Sequence, residues 1–405
     1  MAELAAQEAG LGVEGCQFVS QCSTDAWVCP CGRIVSPMLL NYYAIAAAVV
    51  VGAVSGVVCV RSIRGRVRDS LVVIRAAVTG IAGTLIVSAG ALAITGLDGF
   101  TLIHVAYLVL VVGIPLAGVI VLVFARERSR AIKALCVAAQ LAIPVGVYAT
   151  HVEPFWLRTD SVQLVVDGIG EEIRLGVLAD LQTTAIGSYE NEAVDRLISL
   201  RPDIAVVPGD LYQFEPEMFE ERAPQFSALI RRLANAVPAV YLVSGNTDTV
   251  AGLLRITAGT GARVLDNQID TVVLKGNVVS IGGITLSGDE RAAQRVADRL
   301  SDRDDRAGVR ILLAHKPDEI ELLQGRTVDL LVSGHTHGGQ VSLPFIGPPL
   351  TQSSVPRRVA AGGLHKLDGT AVYVSTGVGR ERKNAPQLRF GVRPSIGIID
   401  LVGDS

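Results

Sequence analysis

Leu330-Leu331-Val332-Ser333-Gly334-His335-Thr336-His337-Gly338-Gly339-Gln340 is the stretch on which the reading of this chain turns. The aliphatic run reads as a short strand buried on both faces, and the serine and glycines end it. Two histidines, two residues apart, follow at the strand's carboxyl end. A single histidine is more often structural than chemical, and His315 alone would not stand out. The chain has six histidines in 405 residues, however, and His315, His335 and His337 all lie between Ala314 and Gly338. Such crowding points to imidazole used as a metal ligand.

Upstream the arrangement repeats. Apolar runs at residues 175–178, 204–207, 239–243 and 309–313 also read as buried strands. Helical periodicity appears between them at 191–199, 218–234 and 291–301, and runs at 371–375 and 395–401 look like further strands. Strands alternating with helices predict a layered α/β domain. Each strand hands over to polar residues: Ala179-Asp180-Leu181-Gln182, Pro208-Gly209-Asp210, Ser244-Gly245-Asn246-Thr247-Asp248 and Ala314-His315-Lys316. Sites in open α/β sheets form at the carboxyl ends of strands. Asp180, Gln182, Asp210, Asn246, His315, His335 and His337 are therefore expected along one edge. Carboxylate, amide oxygen and imidazole together suit manganese, iron or zinc. The set exceeds the needs of one ion, so two divalent ions sharing a carboxylate are expected, about 3.5–4 Å apart. Gly209, Gly245 and Gly334 read as sharp turns that aim the next side chain.

The first 150 residues have a different texture. Half of the whole chain is apolar and 19% is charged, against about a quarter charged in soluble domains. The apolar excess sits here, in four segments at about residues 37–60, 71–95, 101–125 and 134–150. A membrane span needs roughly 20 apolar residues; the fourth segment is short and contains Pro144. The first break between segments carries Arg61, Arg64, Arg66 and Arg68, the second Asp98, and the third Arg126, Arg128, Arg130 and Lys133. Basic loops stay in the cytoplasm, which places the N-terminal head and everything after residue 150 outside. The expected organisation is an extracytoplasmic head at 1–36, a four-helix transmembrane region at 37–150, an interfacial linker at 151–160 bearing Phe155 and Trp156, and the α/β domain at 161–405. The expected location is the cell membrane, multi-pass, with the α/β domain extracytoplasmic and no cleaved signal peptide.

Cys16, Cys22, Cys29 and Cys31 crowd the head. In an oxidising space two disulfides are favoured, with a zinc site or free thiols as alternatives. Cys59 and Cys136 lie in apolar stretches and read as small buried hydrophobes. His365, in a Gly-Gly-Leu-His stretch, reads as a loop residue. The net charge of −3 suggests no polyanionic partner, so nucleic acid is not expected, and no protein partner is implied.

From about Glu153 onward the ordered motifs resemble the calcineurin-like metallophosphoesterases, most closely their bacterial membrane-associated branch of YkuE/YaeI type. The resemblance continues past the histidine pair, through Val341-Ser342-Leu343-Pro344-Phe345-Ile346-Gly347, through Tyr-Val-Ser-Thr-Gly-Val-Gly at 373–379, to Arg389-Phe390 and Arg393-Pro394. It implies a two-sheet α/β sandwich with helices outside. It implies that Asp180 and His337 bind a first metal, that Asp210 bridges, and that Asn246, His315 and His335 hold a second. The implied activity is hydrolysis of phosphate esters, phosphodiesters favoured, by a metal-bridging hydroxide. Asp210, Asn246 and His335 would then be catalytic, and Asn246 and Lys316 would bind the phosphate. Proximity to a membrane favours a lipid-linked or envelope-derived phosphate ester. Arg380, Arg382 and Lys383 either add phosphate affinity or form an ordinary solvated loop.

Three positions depart from the family pattern. Gln182 stands where histidine is usual, and its amide oxygen is a weaker first-site ligand for a borderline metal. Thr247 stands where a histidine normally serves the leaving oxygen, and loss of a general acid costs roughly 10²–10⁴ in rate. Asp248 and Lys316 are the neighbours available to replace it. Gln213 ends the second motif where an acidic residue is common. The competing expectation is a catalytically reduced metal- or phosphate-binding membrane protein that keeps the fold.

Overall fold

Alternation along the central strands fixes the layers. In Ile204–Pro208, Ile204 and Val206 face one way while Ala205 and Val207 face the other, as a period-2 backbone requires. Both sets are wholly buried, so the strand lies between two apolar layers. In Val309–Ala314, Ile311 and Leu313 enter the same central layer, while Leu312 and Ala314 enter a third. A computed structural model describes residues 49–61, 99–124, 130–286, 289–302, 308–382 and 385–404 and shows how these layers close.

In chain order the strands are β1 (Arg158–Val165), β2 (Ile173–Val177), β3 (Ile204–Pro208), β4 (Ala239–Val243), β5 (Arg263–Val264), β6 (Gln268–Leu274), β7 (Asn277–Ile284), β8 (Val309–Ala314), β9 (Leu330–Ser333), β10 (Gly363–Leu367), β11 (Thr370–Val374) and β12 (Ser395–Val402). They form two six-stranded sheets, ordered β1-β12-β2-β3-β4-β5 and β10-β11-β9-β8-β7-β6. Strands β2 to β5 are parallel, and β12 enters beside them, antiparallel to β2 and parallel to β1. In the second sheet β11, β9, β8 and β7 are parallel, with antiparallel edges at β10 and β6. Leu175, Val206, Tyr241, Ile281, Ile311, Val332 and Tyr373 pack between the sheets. Helices α1 (Ser188–Ser199), α2 (Phe219–Ala236) and α3 (Val250–Thr257) cover the first sheet through Leu197, Phe226, Leu233 and Ile256. Helix α4 (Glu290–Ser301) covers the second through Val296 and Leu300. This is an α/β fold with two mixed sheets, and each expected strand and helix of the domain has its counterpart.

Several elements were not expected. Strand β1 begins at Arg158, opposite Ser395, and so starts within the stretch read as an interfacial linker. The β6–β7 hairpin and β10 were also unforeseen. His365 is corrected from a loop to β10, where its Nε2 lies 3.0 Å from the Gly362 carbonyl oxygen.

Ahead of the domain, two helical stretches, Ile103–Val123 and Arg130–Phe155, are long and apolar enough to cross a membrane by length and composition. The segment expected at 134–150 is thus part of a longer helix. Val49–Arg61 is apolar but shorter, so the described residues contain two candidate spans where four were expected. The expected segment at 71–95 and the four head cysteines lie outside the described residues. Cys59 and Cys136 are buried beside Val60, Val121 and Ile132, as their apolar surroundings suggest. The last helix is tied to the domain: the Arg389 amide donates to the Ala149 carbonyl at 2.9 Å, and the Gly391 amide to Glu153 Oε2 at 3.0 Å.

Candidate metal centre

The carboxyl ends of β2, β3 and β4 in one sheet meet those of β8 and β9 in the other. Asp180, Asp210 and His315, all buried, place ligand atoms within 4.8 Å of one another. His315 Nδ1 lies 2.9 Å from the Pro208 carbonyl, which can only accept, so the ring hydrogen sits on Nδ1 and Nε2 keeps its lone pair. That Nε2 is 2.9 Å from Asn246 Oδ1, 3.1 Å from His335 Nδ1 and 3.6 Å from Asp210 Oδ2. His335 Nδ1 is 3.0 Å from Asn246 Oδ1. One hydrogen on His335 can serve only one of these contacts, which leaves lone pairs facing one another. A cation satisfies them all.

The carboxylates are held for such a role. The His335 amide donates to both Asp180 oxygens at 3.0 Å. The Thr247 amide donates to Asp210 Oδ1 at 2.9 Å, which leaves Oδ2 toward His315. Asp180, Gln182, Asp210, His335 and His337 all have positive φ, between 40° and 70°. This region costs a non-glycine residue about 1 kcal/mol or more, and here it falls on the proposed ligands. Gly209 makes the sharp turn expected of it, with φ +85°. Gly334 and Gly245 correct the sequence reading, because neither has a positive φ. They are needed for space: a Cβ at Gly334 would lie 2.5 Å from Asp180 Oδ2, and one at Gly245 2.5 Å from the Asp210 amide nitrogen.

Electrostatics point the same way. Burial and the neighbouring His315 and Lys316 push His335 down to about 4, so its imidazole is neutral at ordinary pH. Burial and Asp210 hold the Asp180 carboxyl well above its usual range, which marks anionic oxygens short of positive charge. Anionic oxygen, amide oxygen and neutral imidazole converge, and this donor set fits divalent ions.

Residues 173–339 match the model of the calcineurin-like phosphoesterase family. The chain is 32% identical to the Bacillus subtilis (strain 168) metallophosphoesterase YkuE over 235 residues, 55% of this chain and 73% of that protein. The chain belongs to the calcineurin-like phosphoesterase family. It is also 27% identical to Escherichia coli (strain K12) phosphodiesterase YaeI over 275 residues, 65% of this chain and 96% of that one. Among solved structures, Haemophilus influenzae NAD nucleotidase is similar at a TM-score of 0.35 and 16% identity, over 50% of this chain and 44% of that one. As a member of the calcineurin-like phosphoesterases the protein is a metal-dependent phosphoric ester hydrolase.

Within this phosphoesterase site, five of the seven residues named from the sequence are in mutual contact: Asp180, Asp210, Asn246, His315 and His335. The other two stand in different company. Gln182 is fully buried, its Oε1 has no hydrogen-bond partner, and its Nε2 donates to Glu381 Oε2 at 3.4 Å. His337 is buried with Nδ1 3.3 Å from Arg389 Nη2, and burial and that guanidinium hold it well below the usual imidazole range. Arg389 is itself fully buried and also donates to the carbonyls of Gly377 and Gly379.

Asp248, a sequence candidate for the proton donor, braces the site. Its carboxylate accepts the Leu211 and Gly245 amides, both at 2.7 Å, and so pins the two loops carrying Asp210 and Asn246. Burial and Asp210 push its carboxyl up to about 8. Thr247 turns its hydroxyl to the Tyr212 carbonyl at 2.9 Å. Glu381 was missed from the sequence. Its signal was an acidic residue inside the Arg380-Glu381-Arg382-Lys383 run, immediately after the Tyr373 to Gly379 motif.

Proposed function

We propose that this phosphoesterase is a membrane-anchored phosphodiesterase whose catalytic domain lies outside the cytoplasm. The single observation that carries the catalytic part is the approach of Asn246 Oδ1, His315 Nε2 and His335 Nδ1 to within 3.1 Å of one another beside Asp210. When bound, two divalent ions (manganese, iron or zinc) activate water and neutralise charge on the phosphoryl oxygens. Asp210 would be the carboxylate they share, Asn246, His315 and His335 would hold one ion, and Asp180, Gln182 and His337 would hold the other. Asn246 also orients the phosphate. Lys316, near enough to depress His335, offers a positive charge to a phosphate oxygen. Thr247 points its hydroxyl hydrogen away from the site, so the leaving oxygen receives no proton there. Esters with a leaving group stable as an anion are favoured. The relative YaeI is a phosphodiesterase, which supports a diester over a monoester.

The anchor rests on the two apolar helices and on the basic breaks flanking the segments at 37–60 and 101–125. Backbone hydrogen bonds run from the last helix to the histidine loop: Arg389 to Ala149, Phe390 to Gln340 and Ser342 to Phe390. The adjoining turn exposes Leu343, Phe345 and Ile346. A site so placed favours a lipid-linked or envelope-derived phosphate ester.

The test uses the full chain in detergent with manganese or zinc and bis(4-nitrophenyl) phosphate. Asp210→Asn and His335→Ala are each expected to abolish turnover; undiminished activity in both overturns the assignment. Protease added to intact spheroplasts should cleave the catalytic domain, and full protection there overturns its outward placement.

A further inference from the structure

A ribbon of the domain lies along the last apolar helix, Arg130–Phe155. From Lys133 to Ala149 that helix rises about 24 Å, so a hydrocarbon core of about 30 Å measured from Lys133 reaches past Ala149. The domain meets the helix at this level. The Arg389 amide donates to the Ala149 carbonyl at 2.9 Å, and the Tyr148 and Phe390 rings stand edge to face with centroids 6.5 Å apart. Phe390 pairs in turn with the chain leaving the histidine loop. Its amide donates to the Gln340 carbonyl at 2.8 Å, and its carbonyl accepts the Ser342 amide at 2.7 Å. The next residues form a tight turn, closed by the Leu343 amide on the Gly347 carbonyl at 3.0 Å and the Gly347 amide on the Leu343 carbonyl at 2.9 Å. The returning arm packs on the same loop, for a Cβ at Gly339 would lie 2.6 Å from the Leu350 carbonyl oxygen.

What this turn presents is apolar and uncovered. Phe345 is fully exposed, Ile346 is 64% exposed, and Leu343 and Leu350 are open as well. Scattered apolar side chains are ordinary on a surface, but a cluster of them marks a contact face. Phe345 also holds a φ of +66°, a left-handed conformation rare for a bulky aromatic residue. Such strain persists where the surroundings over-determine it and gathers at functional positions. Here the closing hydrogen bonds hold the backbone, while among the described residues nothing covers the ring. The surroundings point to lipid as the occupant. Phe155 and Trp156 are exposed at the end of the helix, with the Arg380 guanidinium 4.8 Å from the Phe155 ring centroid and that of Arg393 4.2 Å from Trp156. Aromatic rings with arginines beside them suit the headgroup level of a membrane. An apolar tip joined to that helix at Ala149 is within reach of acyl chains without any movement of the domain.

We propose that the turn at 343–347 inserts Phe345 and Ile346 into the lipid surface, a second membrane contact that holds the loop of His335 and His337 beside the bilayer. The inference rests on the membrane-anchored reading above and deepens it. A lipid-borne phosphate ester then meets the metal centre at the bilayer surface, with its acyl chains still in the membrane.

The test uses the full chain reconstituted in phosphatidylcholine vesicles, with and without bromine on the acyl chains. Bromine quenches an indole only at close range, so it reports contact with lipid. Phe345→Trp adds one indole to the native Trp27 and Trp156, and the difference from wild type gives its signal. That signal is expected to fall at least about twofold in brominated vesicles, since interfacial apolar groups sit about 5–10 Å into the headgroup and acyl boundary. Ile346→Trp is expected to behave likewise. Val273→Trp is the control and is expected to lose little: Val273 is 66% exposed, but it lies by the β6–β7 turn, at the end of the second sheet opposite the metal centre. Unchanged thermal unfolding and unchanged turnover of bis(4-nitrophenyl) phosphate in detergent show that each variant is folded. Quenching of Phe345→Trp no stronger than that of Val273→Trp, in a chain that floats with the vesicles, overturns the inference. An indole at position 345 that is shielded from aqueous iodide but untouched by bromine also overturns it, in favour of a protein partner. A wild-type chain that does not float with the vesicles overturns the anchored reading itself.

Discussion

Gly334→Ala puts the geometry of the site under direct test. A methyl at this position would lie 2.5 Å from Asp180 Oδ2 and 2.8 Å from Oδ1. To move from 2.5 Å to an ordinary contact of 3.4 Å, the nearer oxygen must retreat by about 0.9 Å. The carboxylate has little room, because the next residue's amide donates to both oxygens at 3.0 Å and the Asp180 Cβ packs on Gly377. A functional constellation tolerates displacements of about 0.5 Å, and a 1 Å misplacement costs about 10²-fold. The variant is therefore expected to lose about 10²-fold in kcat and to weaken metal binding. Crowding adds a stability loss of about 1–3 kcal/mol. Phosphodiesterase assays at saturating metal, metal counting and thermal unfolding read the three effects separately. Gly170→Ala is the control, since a Cβ there meets only Asn277 Oδ1 at 3.7 Å. Unchanged kcat and unchanged metal content in Gly334→Ala would refute the close-approach account.

Three further outcomes are expected. Asp248→Ala strips the acceptor from two buried amides, each worth about 1–3 kcal/mol. Denaturant unfolding should show that loss, whereas a fall in kcat at full stability would make Asp248 the acid after all. His335 is held down to about 4, so protons compete with metal at this residue only as pH falls toward that value. In metal titrations the loss of affinity on acidification should come from Asp180, whose carboxyl is held well above its usual range, before His335 protonates; a step near 6.5 that His335→Ala removes would contradict the buried, neutral imidazole. Ile311 is fully buried between the sheets, and Ile311→Ala is expected to destabilise by about 2–5 kcal/mol. A loss below about 1 kcal/mol would show that the central layer is loosely packed.

Legibility in the sequence followed the range of the interactions involved. Strands β2, β3, β4, β8 and β9 were readable because both of their faces are buried, and local sequence records that as unbroken apolar runs. Strand β1 and the β6–β7 hairpin carry mixed, half-exposed patterns that resemble loops until a partner strand is known. Gly334 and Gly245 were noticed, but for the wrong reason. A tight turn is a local property, whereas closeness to Asp180 or Asp210 depends on residues distant in the chain. The bracing contacts of Asp248 were not legible, because its two amide partners, from Leu211 and Gly245, become visible only when the loops meet.

By itself, the order of the motifs determined the family, the layered α/β class and the candidate ligands, since each is written in short runs of consecutive residues. Tertiary structure decided which ligands touch, the hydrogen on His315 Nδ1, the turning away of the Thr247 hydroxyl, and the arrival of Glu381 beside Gln182 across 199 positions. The Glu381 contact depends on the loop before β12 folding back as β12 pairs with β2, and the other two on the ends of β8 and β4 meeting that of β3, long-range closures that no local pattern encodes.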